Sequence, residues 1–441
     1  MFIQKSAYNL LFKINDGFTI LYNTFSGSAL RVSSSFADYF ENKFYDSSKY
    51  PEKITTILLD NGFLLKKNIV ELQEIERLHK ESFKRFDELF LFIILTMDCN
   101  FSCPYCYQRV SRQTLNSESV QKILNFINTY SIDHGVTKVN INWFGGEPLL
   151  NKKAIYEISK AIQANGLKLT ATLNTNGYLL DEAFVSDLAL LGISDIKITI
   201  DGVESTHDSR RFTKNGDGSF TTIKSNIKKV IELYDSKIDI QISSNIDIEN
   251  MYNYCDFLNS MKDFRNKVVF SIERTRNTMG RGSNYEKSIP QESFNIISEQ
   301  IYKTIRDKGF GEVNMPKRIN VSCHAELKNS FTFGSDGSVY KCASGINIPK
   351  NKLGHLDDEG KIIFNTEILK KWSNIDVFKD EECVKCVLLP LCMGGCPEKR
   401  VGLNPGALVK RSCYYEKNME VIKNRVLFCC SDADSVDTKK A

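Results

Sequence analysis

Cys99, Cys103 and Cys106 lie within eight residues, in the stretch Met97-Asp-Cys-Asn-Phe-Ser-Cys-Pro-Tyr-Cys-Tyr107. Thiolate metal sites ordinarily close with four protein ligands, and here the fourth is missing. Asn100, Ser102 and Pro104 favour a loop over a helix. A tight loop can aim three thiolates at three corners of one iron–sulfur cube. A zinc site with no fourth ligand nearby is the poorer alternative.

A second field of cysteines follows: Cys323, Cys342, Cys383, Cys386, Cys392, Cys396 and Cys413. Taken alone, Cys383, Cys386, Cys392 and Cys396 have the spacing of a zinc ribbon. Cys255, Cys429 and Cys430 stand outside both groups, and Cys255, on an expected helix, reads as a buried apolar residue. The chain has 441 residues, 42% hydrophobic and 25% charged, a composition that can bury several cores. A net charge of +4 demands neither nucleic acid nor an acidic membrane as partner. The N-terminus MFIQKSAYNLLFKINDGF has no signal-peptide pattern, and the apolar run Leu89–Thr96 is too short to span a bilayer. These features predict a cytoplasmic protein, whose thirteen cysteines are ligands or redox groups rather than disulfides.

The elements that must position these thiols change character along the chain. Residues 1–70 predict a small α/β module: strands at Tyr8–Ile14 and Phe18–Asn23 around an Asn15-Asp16-Gly17 turn, and a helix from Phe36 to Lys43 capped by Ser33-Ser34-Ser35. A second helix opens at Pro51 and ends at Asn61-Gly62, before a short strand at Phe63-Leu64-Leu65. That order is winged-helix-like. Residues 71–89 read as a linker helix. Over residues 90–309, strands at Phe90–Thr96, Lys138–Phe144, Lys168–Leu173, Ile196–Ile200, Ile238–Ser243 and Lys267–Ile272 alternate with helices. The helices fit Ser117–Tyr130, Ala154–Ala164, Glu182–Leu190, Phe220–Tyr234 and Met251–Met261. Six βα units predict an α/β fold, a partial (β/α)6 barrel, with its site at the carboxyl ends of the strands. Residues 310–430 carry the second cysteine field, and 431–441 read as a disordered tail.

The first cysteine group, with an aromatic before its third member, resembles the radical S-adenosylmethionine (SAM) superfamily. So do Gly145-Gly146-Glu147-Pro148 after the second strand, Thr175-Asn176 after the third, Asp201-Gly202 after the fourth, and His207-Asp208-Ser-Arg210-Arg211. The resemblance implies a 4Fe–4S cluster on Cys99, Cys103 and Cys106, with SAM chelating the open iron. It places Gly145, Gly146, Glu147, Thr175, Asn176, Asp201 and Arg211 around SAM, and an arginine can grip the SAM carboxylate bidentately. One-electron cleavage of SAM then yields a 5′-deoxyadenosyl radical that abstracts a substrate hydrogen.

The seven later cysteines resemble the SPASM domain of radical SAM enzymes that modify peptides and proteins. That implies two auxiliary 4Fe–4S clusters, three in all. The outer is held by Cys383, Cys386, Cys392 and Cys413, while Cys323, Cys342 and Cys396 contribute to the inner. The inner one is left with an open iron for a substrate thiolate, or takes a fourth ligand such as Cys429, Cys430 or His324. The implied function is maturation of a ribosomally made precursor peptide, bound through its leader as an added strand on residues 1–70 and fed electrons by a flavodoxin- or ferredoxin-type reductant. The expected product is a cysteine thioether. Anaerobic sulfatase maturation is the alternative, but that family usually has an aspartate after the cysteine matching Cys342, where this chain has Ala343. A non-catalytic iron–sulfur or zinc scaffold is the third.

Overall fold

The structure, a computed structural model, describes residues 3–14, 17–41, 45–66, 69–84, 86–108, 110–235, 237–275, 280–311, 314–346, 348–402 and 419–430. The chain forms two compact units. One combines Met1–Lys84, Val313–Leu327 and Asn374–Ala441; the other combines Arg85–Glu312 and Lys328–Ser373.

The second unit is built on parallel strands taken in chain order: β1 (Glu88–Thr96), β2 (Lys138–Gly145), β3 (Lys168–Thr175), β4 (Ile193–Thr199), β5 (Asp239–Ile246) and β6 (Val269–Arg274). β7 (Ser330–Phe333) continues the sheet parallel to β1, and β8 (Ser338–Tyr340), β9 (Gly354–Leu356) and β10 (Ile362–Phe364) follow antiparallel. Between the parallel strands run α1 (Ser117–His134), α2 (Lys152–Ala164), α3 (Glu182–Ser186), α4 (Glu204–Arg210), α5 (Phe220–Tyr234) and α6 (Tyr254–Ser260), and α7 (Gln291–Asp307) follows β6. This is an α/β fold with a mostly parallel central sheet.

Side chains alternate across it. Leu173, Ile196, Ile198 and Ile242 are fully buried on one face, each worth roughly 1.5–3 kcal/mol on burial. Their chain neighbours Asn174, Lys197 and Gln241 point to the other face, which stays open. Strand ends run further than apolar alternation predicts: β5 continues through Ser244, Asn245 and Ile246. The helix expected over Glu182–Leu190 stops at Ser186, and the one expected over Met251–Met261 runs only from Tyr254 to Ser260.

In the first unit, Asn9–Lys13, Phe18–Asn23 and Ala29–Ser33 form an antiparallel sheet. Ser33 Oγ accepts the Phe36 N–H at 3.2 Å, capping the helix Ser34–Glu41. A second helix, Glu52–Asp60, follows Pro51, and Ile3–Lys5 pairs with Leu64–Lys66. Leu21, Phe36, Phe40, Leu58 and Phe63 are the core of this segment. A second cluster joins Tyr8 and Ile75 to Val377, Leu389 and Met393. Asn15, Asp16, Cys413 and the tail from 431 lie outside the described residues. Among the described residues no helix is long and apolar enough to cross a membrane.

Candidate functional site

The cysteine loop leaves the end of β1 and is fixed at both margins by backbone. Phe101 bridges Thr213, Ser102 N–H donates to Phe212 O at 3.0 Å, and Lys214 N–H donates to Asn100 O at 2.8 Å. Lys214 also pairs with Asp98 at 2.5 Å. At the far margin Gly282 N–H donates to Cys106 O at 2.8 Å; a Cβ there would meet Tyr105 O at 2.6 Å.

The two glycines at the end of β2 serve this loop. Gly146 N–H donates to Thr96 O, and Glu147 N–H donates to Asp98 O, both at 2.8 Å. A Cβ on Gly145 would stand 2.4 Å from Thr96 O, and one on Gly146 2.1 Å from Asp98 O. At both positions the space a side chain would take is filled by the chain's own backbone.

Glu147 is completely buried. Its carboxylate accepts from Thr175 Oγ1 at 2.6 Å, Asn176 N at 2.7 Å and Leu149 N at 3.1 Å. Burial pushes its pKa up, against these donors. Glu147 and Thr175 thus satisfy each other and position Asn176. Asn176 Nδ2 donates to Asn100 Oδ1 at 2.7 Å and lies 4.0 Å from Cys99 Sγ. The third strand's end therefore reaches the first thiol.

Asp201, at the end of β4, is also fully buried. Its Oδ2 accepts from the Tyr105 hydroxyl and lies 3.4 Å from Arg210 Nε, while Oδ1 accepts from Asn245 N at 2.9 Å. Burial opposes its charge, but Arg210 and Arg211 outweigh burial and hold the carboxyl below its ordinary range. The two arginines have different duties. Arg210 is committed: it pairs with Asp247 and donates to Asn245 O at 2.9 Å. Among the described residues Arg211 donates only to the Tyr105 hydroxyl, at 2.9 Å, and its buried Nε has no partner there. Its free donors suit a bidentate anion.

His207 holds the Arg211 backbone. Asp201 N–H donates to His207 Nδ1 at 3.2 Å, so Nε2 carries the proton toward Ser219 Oγ at 2.9 Å, and Ser219 Oγ donates to Arg211 O at 2.7 Å. Burial, with Arg211 nearby, lowers the His207 pKa from 6.5 to about 4. A lowered pKa favours the neutral form in the fold, so this stabilisation is complete above pH 6.5 and is lost as pH falls from 6.5 toward 4. His207→Asn should therefore flatten the pH dependence of unfolding free energy by about 1.5 kcal/mol between neutral pH and the middle of that window, measured by urea titration. Parallel wild-type and variant curves would contradict this.

Burial pushes the Cys99 thiol up to about 12 and also raises that of Cys103. Such buried thiols become thiolates only with a partner that neutralises them, which fits a metal cluster. Among the described residues no three Cys, His, Asp or Glu side chains converge to hold a single metal ion.

In the first unit, Cys383 Sγ accepts from Arg400 Nη2 at 3.1 Å, and Arg400 Nε donates to Gly394 O at 2.7 Å. Asp380 Oδ1 accepts the Cys383 N–H at 3.2 Å. Arg400 thereby braces Cys383 against the Cys392–Cys396 turn. Cys323, Cys386 and Cys396 are exposed, and Cys392 is half-buried. Cys430 packs among Phe12, Tyr22, Leu391 and Val426, its thiol pushed up to about 11 by burial; it is a core residue. Cys342 belongs to the second unit, half-buried with its Sγ 3.0 Å from Ser344 Oγ. Cys255 is exposed, contrary to expectation, because α6 turns Tyr254, Phe257 and Leu258 inward. Sequence reasoning missed the roles of Tyr105, Arg210, His207 and Gly282. The adjacent Arg210-Arg211 pair was the available signal.

The model of the Radical SAM superfamily matches residues 93–264. The chain is 24% identical over 371 residues to the cysteine-type anaerobic sulfatase-maturating enzyme of Clostridium novyi (strain NT), covering 73% of this chain and 92% of that one. It resembles the structure of native anSMEcpe with bound AdoMet at a TM-score of 0.58 and 20% identity, over 78% of this chain and 100% of that one. It also resembles Streptococcus suis SuiB bound to precursor peptide SuiA, at a TM-score of 0.50 and 17% identity, over 90% and 96% of the two chains.

Proposed function

Since the chain carries a radical SAM domain, we propose that it matures a precursor peptide and installs a cysteine thioether. The observation that carries the SAM part of this reading is Arg211, a buried guanidinium with unpaired donors, linked through Tyr105 to the cysteine loop. In this reading Cys99, Cys103 and Cys106 hold a 4Fe–4S cluster. Arg211 pairs with the SAM carboxylate. Asn176 lines the space beside Cys99. Glu147, Thr175 and Asp201 act behind that surface, fixing Asn176, Tyr105 and Arg211. The cluster and SAM, when bound, supply a 5′-deoxyadenosyl radical that abstracts hydrogen from the substrate.

The peptide part rests on the first unit. Its antiparallel sheet leaves Ala29–Ser33 at an edge, where an extended leader can add a strand. We read this segment as the winged-helix-like recognition module. We read the later cysteines as a SPASM domain with two auxiliary clusters, Cys383, Cys386, Cys392 and Cys413 around the outer, and Cys323, Cys342 and Cys396 at the inner. The reductant is read as a flavodoxin- or ferredoxin-type protein.

Anaerobically reconstituted protein is expected to carry about twelve irons per chain and to form 5′-deoxyadenosine from SAM under reductant. With a cysteine-bearing precursor peptide, mass spectrometry should show loss of two hydrogens and a thiol that no longer alkylates. A hydrazide-reactive aldehyde in place of that cysteine would instead mark formylglycine formation. A colourless zinc protein that leaves SAM intact would overturn the enzymatic reading altogether.

A further inference from the structure

Lys197 sits in mid-strand, between the fully buried Ile196 and Ile198, on the open face of β4. Its face is continuous with residues that reach Cys99 and Asp201, as three links show. In register it stands between Asn174 of β3 and Gln241 of β5. Two residues beyond Asn174, just past the end of β3, comes Asn176, which lies 4.0 Å from Cys99 Sγ. From Gln241 the same face of β5 runs through Ser243 to Asn245, whose backbone and side chain both donate to Asp201.

The register neighbours of Lys197 are bonded to residues further out on the sheet. Asn174 Nδ2 donates to Asn142 Oδ1 and to Trp143 O at 3.3 Å, and Gln241 Nε2 donates to Ser271 Oγ at 2.8 Å. Asp195, two residues back on β4, accepts from Ser194 and makes no ion pair with Lys197. Lys197 itself is exposed although it stands at the middle of a sheet, so open space lies over it. An ammonium in such a place, between polar side chains that are already bonded, is free to meet an anion from outside the chain.

We propose that Lys197 binds a substrate carboxylate, and that the peptide segment entering this site carries Asp or Glu beside its modified residue. This rests on the peptide-maturase reading. Two carboxylates are available in that reading, the one on SAM and one on the peptide. Arg211, with its buried free donors, is the partner for the first, which leaves Lys197 for the second.

The test uses full-length reconstituted enzyme and three synthetic capped nonapeptides, each with one central cysteine flanked by Glu, Gln or Lys. Affinity is read by fluorescence anisotropy in the presence of SAM, and 5′-deoxyadenosine formed without peptide is followed in parallel. Wild type should bind the Glu peptide about tenfold more tightly than the Gln peptide. Lys197→Met should lose that preference, Lys197→Arg should keep it, and Lys197→Glu should prefer the Lys peptide. Peptide-free SAM cleavage should be the same in all four proteins. Equal binding of Glu and Gln peptides by wild type, or a preference that survives in Lys197→Met, overturns the inference and leaves the maturase reading standing. Loss of peptide-free SAM cleavage in Lys197→Met also overturns it, by assigning Lys197 to SAM. Failure of wild type to bind any of the peptides counts against both.

Discussion

Asp201→Asn is expected to destabilise the protein by about 3–5 kcal/mol and to weaken SAM binding at the same time. Asp201 faces both arginines and the Tyr105 hydroxyl. Arg210 keeps Asp247 when that charge is removed. Arg211 keeps the Tyr105 hydroxyl as its hydrogen-bond partner but loses the carboxylate charge it shares with Arg210. The cost is that of leaving a charge buried without its partner, which exceeds the worth of the pair itself. Equilibrium urea unfolding gives the first quantity, and calorimetric titration of reconstituted protein with SAM gives the second. Tyr105→Phe separates them. It keeps every charge, so stability should fall by only about 1 kcal/mol, the value of one hydrogen bond, while SAM affinity should fall in the same direction as in Asp201→Asn. An Asp201→Asn protein as stable as wild type would show that the arginines do not depend on this carboxylate.

The parallel core was legible because apolar runs such as Ile196–Ile200 and Lys138–Phe144 are unmistakable strands in a chain that alternates them with helices. The site was legible in part. The three cysteines announce themselves by spacing, but spacing does not tell which neighbouring polar residue touches a ligand and which supports one that does. Glu147 illustrates the difference. A carboxylate at a strand end reads as a ligand-binding group, and the fold adds a supporting duty, since its oxygens accept from Thr175, Asn176 and Leu149. His207 was equally opaque. A histidine in a polar stretch looks solvent-exposed, and only the fold shows it fully buried and relaying a hydrogen bond to the Arg211 backbone. Cys255 fails for a simpler reason: one residue of rotation on a short helix, about 100°, decides between core and solvent.

Gly146→Ala should be the most damaging single methyl group in the second unit. The added Cβ would stand 2.1 Å from Asp98 O and 3.0 Å from Met97 O, distances no side-chain rotation relieves, since the opposing atoms are backbone. Either the end of β2 retreats and the bonds from Gly146 to Thr96 and from Glu147 to Asp98 break, or residues 97–98 move and take Cys99 with them. Both routes deform the cluster loop. Overpacking of this kind costs roughly 1–3 kcal/mol or more, and the functional loss should be larger than the stability loss, because a cluster needs its thiols in place before it can assemble. Iron bound at the Cys99 loop, counted in a background where the later cysteines are replaced by serine, should fall to a small fraction of wild type. Gly135→Ala is the control. Gly135, unlike Gly146, has a positive φ, 67°, at the end of α1, but a Cβ there meets nothing within 4 Å. That variant should lose about 1 kcal/mol through backbone strain and keep its iron. Equal iron in the two variants would mean that the loop tolerates displacement and that the paired glycines are not what holds the three thiols in register.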